Sequence, residues 1–341
     1  MLQQSIVYPP DSGYPLYITA KKYALPEFES NVNDPDALTL VVLHSTSFHK
    51  ETWEPSLSKL FSLSSQPGTP FKIHEAWAID CPNHGESGEL NDEVLKKPEF
   101  ANDFSWTVSC EKYARAVHRF LCGGLDHGAR VDFRKRNLVG IGHSLGANAI
   151  LLLQRLKPTF NFKALVIVEP MLSPAGPEHL HDLRILLVKG AERRYDIWPS
   201  REVALKSFKT RPRTMKWDPR VLDLFVQHAL RPHPDGVTLS CSRQQEIAMY
   251  EDREGPTKPV EDMNRSCAKM PVHLVLGSVN DYISPQIHAA FVDPTAGRRF
   301  ASVTKIPGVG HLVPQETPDK LGAVIYEALV RSAEPDPTTR L

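Results

Sequence analysis

No apolar run in this 341-residue chain approaches the length a bilayer-crossing helix requires. The sequence therefore predicts no integral membrane association. Charge of one sign is also missing, since 40 Lys+Arg balance 40 Asp+Glu. Without a basic field there is nothing to attract nucleic acid or an anionic membrane surface. The five cysteines, Cys81, Cys110, Cys122, Cys241 and Cys267, are scattered, odd in number and without CxxC spacing. That argues against a disulfide scaffold and against structural zinc, and for reduced thiols inside a cell. The opening MLQQSIVYPP has neither a basic region nor an apolar core, so no signal peptide is expected. Internal repeats and low-complexity tracts are lacking too. What these absences leave is a globular chain, either one large domain or a domain with an insertion.

The pattern that remains is an alternation of strands and helices. Leu38–Leu43 (LTLVVL) is a nearly continuous apolar run, as a central strand buried on both faces requires. Phe71–Ile79, the run ending at Ile141, Ala164–Val168, Val272–Leu276 and Ser302–Ile306 read as further strands, and Tyr14–Tyr23 as an edge strand. Helical spacing marks Trp53–Leu63, Ser105–Leu121 and Pro318–Val330. Strands separated by helices imply a mostly parallel sheet covered on both faces. Between Ser173 and Lys269 the alternation lapses into amphipathic pieces, such as Ser200–Phe208 and Pro219–Leu230, with proline-rich joints. Ile185–Val188 there reads as a strand or a buried helical segment. The expected organisation is an α/β core over residues 1–172 and 270–341, interrupted at 173–269 by a mainly helical cap above the sheet's C-terminal edge, where ligands of such sheets bind.

Val139–Gly146 (VGIGHSLG) is the stretch on which function turns. Apolar residues run into Gly142-His143-Ser144-Leu145-Gly146, and a helix-forming run begins at once. This is the strand–turn–helix context of a G-x-S-x-G nucleophile elbow. The turn is too tight for bulk beside the serine, and it pushes the Ser144 hydroxyl out at the top of the sheet.

A serine hydroxyl needs a base, and the base needs a carboxylate. His311, in the loop Gly308-Val309-Gly310-His311 after a strand, is the candidate base. His143 reads as structural, and His44 and His84 as hydrogen bonders that order loops. For the acid, Asp281 after the Val272–Leu276 strand is preferred and Glu169 after the Ala164–Val168 strand is the alternative. Both fit the chain order Ser…Asp/Glu…His. An oxyanion needs two N–H donors. These are expected from Leu145, next to the nucleophile, and from Thr46, in the loop after Leu38–Leu43.

These motifs together resemble the α/β-hydrolase superfamily over nearly the whole chain. Leu43-His44-Ser45-Thr46 resembles its oxyanion loop, with Ser45 where glycine is usual. Asp80-x-x-Asn83-x-Gly85-x-Ser87 resembles its D-x-x-G-x-G-x-S turn, with Asn83 in place of the first glycine. Gly142–Gly146 matches the elbow, Asp281-x-x-x-Pro285 the acid loop, and Gly310-His311 with Glu316 and Pro318 the histidine loop. The stretch Phe48–Pro55 and the cap are similar to fungal hydrolases of toxin biosynthesis and to a peroxisomal lipase of yeasts. The resemblance implies a serine hydrolase that cleaves an ester or thioester of an apolar acyl substrate through an acyl-enzyme, without metal or organic cofactor. Its alternatives are a non-catalytic binding protein on the same fold, or triad-dependent C–C hydrolysis, acyl transfer or lyase chemistry. The final Thr339-Arg340-Leu341 resembles the Ser-Lys-Leu peroxisomal address, so the expected location is peroxisome or cytoplasm. The sequence leaves the oligomeric state open.

Overall fold

The structure, a computed structural model, describes residues 1–97 and 109–334. The N-terminal part of the expected Ser105–Leu121 helix and the Thr339–Leu341 tripeptide lie outside the described residues. In chain order the strands are β1 (Leu2–Tyr8), β2 (Ile18–Ala24), β3 (Leu38–Leu43), β4 (Ile73–Ile79), β5 (Asn137–His143), β6 (Phe162–Val168), β7 (Ile197–Trp198), β8 (Leu230–His233), β9 (Gly236–Leu239), β10 (Val272–Gly277) and β11 (Ser302–Ile306).

Eight of them form one sheet in the order β1-β2-β4-β3-β5-β6-β10-β11. Pairing is parallel from β4 through β11 and antiparallel only where β1 and β2 join. The period-2 alternation of a strand puts Leu40 and Val42 in the core on one face and Val41 and Leu43 in the core on the other. Helices Glu54–Ser64 and Pro318–Ala333 pack together on the first face, bringing Leu57, Phe61, Leu321 and Ile325 onto the sheet. Helices Cys110–Cys122 and Leu145–Leu153 cover the second face, where Phe120 meets Trp77 with ring centroids 5.6 Å apart. The fold is thus the α/β-hydrolase architecture, with a mostly parallel sheet between two helical layers. Among the described residues no helix is long and apolar enough to cross a membrane.

Two differences from the sequence reading have simple causes. The expected edge strand Tyr14–Tyr23 becomes β2, shifted to Ile18–Ala24, and it is not an edge, because β1 pairs along its whole length. Only Ile6 and Tyr8 of β1 are buried, too few to carry a periodic signal. Ile185–Val188 lies inside the helix His181–Arg193, with Leu186 exposed.

Between β6 and β10 the chain forms helices His181–Arg193, Arg201–Lys209, Pro219–His228, Arg243–Tyr250 and Lys258–Cys267, with β7, β9 and β8 as a separate small antiparallel sheet. Trp198, Phe208, Trp217 and Phe225 make a third apolar cluster there, joined by Phe48 and Leu312 from the two loops beneath. The last helix behaves differently. Lys258–Cys267 packs against Leu145–Leu153 and places Met263 in the main core. It therefore belongs with the sheet's helical layer, although it falls within the expected 173–269 insertion. Asn148 fastens the ends of the segment to the elbow helix, its amide donating to Met171 O at 2.7 Å and Gly255 O at 3.0 Å.

Candidate active site

The elbow is held by contacts that leave no room for side chains. A Cβ on Gly142 would sit 2.4 Å from the carbonyl oxygen of Gly146, and one on Gly146 would sit 2.4 Å from that of Leu43. Ser144 between them has φ 54° and ψ −117°, a conformation unusual for a residue with a side chain. Its N–H donates to Val168 O at 2.9 Å, which anchors the strained turn to the end of β6. The hydroxyl faces His311, with Ser144 Oγ and His311 Nε2 3.0 Å apart.

Three contacts hold His311 from behind. Its Nδ1 lies 3.1 Å from Glu169 Oε2. Its backbone N–H donates to Asp281 Oδ1 at 2.8 Å. Its carbonyl oxygen lies 2.8 Å from His143 Nε2. Burial and the facing His311 ring push the His143 imidazole down to about 3. It is therefore neutral at ordinary pH, with its proton on the nitrogen that donates to the His311 loop. The structural reading of His143 thus acquires a definite task.

The expectation that Asp281 faces the histidine ring is corrected by this geometry. Asp281 takes the backbone N–H groups of His311 and Tyr282, at 2.8 and 2.9 Å, and clamps the loop, while Glu169 takes the ring. The reason is strand order. β11 neighbours β10 as adjacency in sequence suggests, but Ser144 directly follows β5, and β6 and β10 both lie between. The loop 308–311 carries the histidine back over the end of β10, where Gly310 crowds Gly277, and the ring then stands beside Glu169 at the tip of β6.

Glu169 is 2% exposed and has φ 43°, its N–H bonded to Val275 O at 2.8 Å. Oε1 accepts the N–H of Gly277 at 2.6 Å, and His288 Nε2 lies 3.4 Å from the same oxygen. Burial raises the carboxyl. The approach of His288, the hydrogen bond and charge of His311 and the Gly277 N–H outweigh it and hold the group at about 2.

Leu145 and Thr46 line the cavity beside Ser144. The N–H of Leu145 opens the elbow helix, where backbone donors lack intrahelical acceptors. The Thr46 loop is fixed by both histidines singled out for loop ordering. His44 Nε2 accepts the N–H of Cys81 at 3.0 Å and its Nδ1 lies 2.8 Å from Ser45 O. His84 Nε2 accepts the N–H of Ser47 at 2.8 Å. Asp80 ties the same loop down, receiving the Lys50 N–H at 2.8 Å and Lys50 Nζ at 2.9 Å. Neither departure from the glycine pattern falls at a left-handed position. The positive φ values are at Ser47 (72°) and Gly85 (54°), not at Ser45 or Asn83.

Above the serine is a cavity of about 750 Å³. Phe48, Leu145, Met171, Leu183, Leu187 and Leu312 supply much of its apolar wall, and Arg213, whose guanidinium lies 5.0 Å over the Tyr282 ring, is among its charged residues. Sequence reasoning missed the group that ties the helix Arg243–Tyr250 to the Thr46 loop. Buried Glu246 accepts the Ser47 hydroxyl, the Tyr250 hydroxyl at 3.0 Å and Arg194 Nη1 at 3.2 Å. It also missed His288. Neither set has a clear local signal, since its key contacts, Ser47 and Arg194 with Glu246 and His288 with Glu169, join residues far apart in the chain.

The family described as Alpha/beta hydrolase family matches residues 40–324. A type I acyl-CoA thioesterase of Penicillium roqueforti is 27% identical over 296 residues, covering 83% of this chain and 57% of its own. One from Penicillium brevicompactum is 31% identical over 225 residues, covering 64% and 45%. The chain thus spans about half the length of these curated relatives. The peroxisomal alpha-beta-hydrolase Lpx1 of Saccharomyces cerevisiae superposes with a TM-score of 0.68 at 18% identity, covering 100% of this chain and 91% of that one.

Proposed function

The chain belongs to the alpha/beta hydrolase family, and on that premise we propose that it is a serine hydrolase of acyl thioesters or esters, with Ser144, His311 and Glu169 as its triad. The observation that carries the reading is the continuous contact from Ser144 Oγ to His311 Nε2 (3.0 Å) and from His311 Nδ1 to Glu169 Oε2 (3.1 Å). His311 takes the serine proton as Oγ attacks the acyl carbon. The N–H groups of Leu145 and Thr46 receive the oxyanion. The carbon–sulfur or carbon–oxygen bond to the leaving group then breaks, and the proton on His311 goes to the departing thiolate or alkoxide. Water, deprotonated by the same imidazole, releases the acid and regenerates Ser144. Glu169 stays ionised throughout and stabilises the imidazolium.

An apolar acyl group suits the leucine- and methionine-rich cavity wall. The thioester is favoured over the oxygen ester because the Penicillium relatives are described as acyl-CoA thioesterases. Residues 173–256 act as the cap that closes over the acyl chain. A peroxisomal location is part of the reading, supported by the yeast relative. A fluorescent protein fused upstream of Thr339 should reach peroxisomes and lose them when the last three residues are deleted.

The central test is acylation. A fluorophosphonate probe should label the wild type at Ser144, and acyl-CoA thioesters of graded chain length should turn over. Ser144→Ala should fold, resist labelling and lose turnover by roughly 10⁶-fold, as triad knockouts do. A wild type that binds acyl ligands but neither labels nor turns over would make it a binding protein instead.

A further inference from the structure

The carboxylate that orients His311 is itself oriented by a second histidine. His288 lies on the short helix Pro285–Phe291 and is 5% exposed. Its Nδ1 lies 3.0 Å from Asn280 Nδ2, and the same amide nitrogen lies 3.0 Å from Ile283 O. A carbonyl oxygen only accepts, so the atom facing it is the amide NH₂, and its other hydrogen goes to His288 Nδ1. A neutral imidazole that accepts at Nδ1 carries its proton on Nε2. That nitrogen is buried, makes no well-formed hydrogen bond among the described residues, and faces Glu169 Oε1 at 3.4 Å. The Gly277 N–H reaches the same oxygen at 2.6 Å.

We propose that His288 is a positioning residue of the triad. It donates its Nε2 proton toward Glu169 Oε1, so that Oε2 is the oxygen presented to His311. The chain of polar contacts then runs Asn280–His288–Glu169–His311–Ser144. A glutamate has one more rotatable bond than an aspartate, and its carboxylate must be stopped from rotating about that bond. The Gly277 N–H fixes one edge of Oε1, and His288 closes the remaining approach. Donation to the carboxylate also disperses its charge, which moderates its pull on the His311 imidazolium. The inference rests on the triad reading above.

Two substitutions test it, because Nε2 of glutamine reaches near the place of a histidine Nε2 and methionine fills similar volume without a donor. His288→Met should lower kcat about 10- to 100-fold, the range a hydrogen bond to a charged group is worth, with KM within a factor of about two. Its acidic limb in kcat/KM should move to higher pH, since Glu169 would hold the His311 proton more tightly. The groups facing this pair are His143 through the His311 carbonyl, Asp281 through its N–H, the Tyr282 ring and Arg213 above that ring. All four are unchanged in both variants. His288→Gln should recover most of kcat and return the limb toward the wild-type position.

A methionine variant with wild-type kcat and an unmoved acidic limb would overturn the proposal. So would a glutamine variant as impaired as the methionine one, because the side chain would then serve only to pack. Failure of the triad reading looks different. In that case wild-type protein escapes the fluorophosphonate, or Glu169→Gln leaves turnover intact, whatever the His288 variants do.

Discussion

Asp281 holds His311 by its backbone N–H at 2.8 Å and leaves the imidazole to another carboxylate, Glu169, 3.1 Å from Nδ1. Two acids therefore serve one histidine in different ways. One sets where the loop runs, and the other sets which ring nitrogen carries the proton.

That division predicts a ranking. Glu169→Gln should fold and lose roughly 10⁴-fold in kcat, the size seen when a triad carboxylate becomes an amide and favours the wrong tautomer. Asp281→Asn keeps an oxygen that can accept the His311 N–H, and should lose about tenfold or less, the worth of weakening one hydrogen bond to a charged group. Steady-state kinetics on one thioester decide the matter. The reverse order would return Asp281 to the role of triad acid.

The buried histidines predict an acid-sensitive fold. Burial pushes His44 down to about 4 against the pull of Asp80, and His143 lies at about 3. Below its ordinary value of 6.5 the unfolded imidazole takes a proton that the folded one refuses. The unfolded state then binds more protons, so stability falls as pH falls from about 6.5 toward 4. For His44 the loss by pH 4 is about 3 kcal/mol. Glu169 acts in the same direction, in a lower window of its own. Its stabilisation is present above the ordinary carboxyl value and is lost only as pH falls toward about 2. Urea unfolding at pH 7 and pH 4.5 should show the decline, and His44→Gln should flatten it while lowering stability at pH 7. A slope unchanged in that variant would contradict the assignment.

The segment above the cavity should depend on the ion pair between buried Glu246 and partly exposed Arg194. Glu246 is 2% exposed, and Arg194 is the cation that meets it. Arg194→Met leaves the carboxylate buried and uncompensated and should cost about 3 kcal/mol or more. The double variant Arg194→Met/Glu246→Met removes both charges and should recover much of that loss. Urea midpoints of the two variants against wild type measure this. A single variant as stable as wild type would mean that water compensates Glu246.

How much of this was legible beforehand differs from element to element. The elbow could be read because its demands are local. A Cβ on Gly142 would stand 2.4 Å from the Gly146 oxygen within the turn itself, while Gly146 answers to Leu43 O on the neighbouring strand, and apolar runs on either side declare a strand and a helix. Leu38–Leu43 declared itself in the same way, since a strand buried on both faces has no polar face to interrupt it. The expected cap was read from a lapse in alternation. Its last helix was not separable from the rest, because packing against the elbow helix leaves no distinctive mark on Lys258–Cys267.

The sequence by itself determined which residues are candidates for the proposed chemistry: a serine between two glycines, a histidine in a glycine-freed loop, and acids in the right order along the chain. Only the tertiary structure decided which acid meets the ring. Asp281 and Glu169 are each a carboxylate on a loop after a strand, and nothing local distinguishes them. The choice depends on β6 lying between the serine's strand and β10, and on a histidine loop that returns over the end of β10 to reach Ser144. The same holds for His288, which touches Glu169 only because parallel strands bring their C-terminal ends to one edge of the sheet. Contacts made across that edge are set by strand order in space, and strand order is not written in any one stretch of chain.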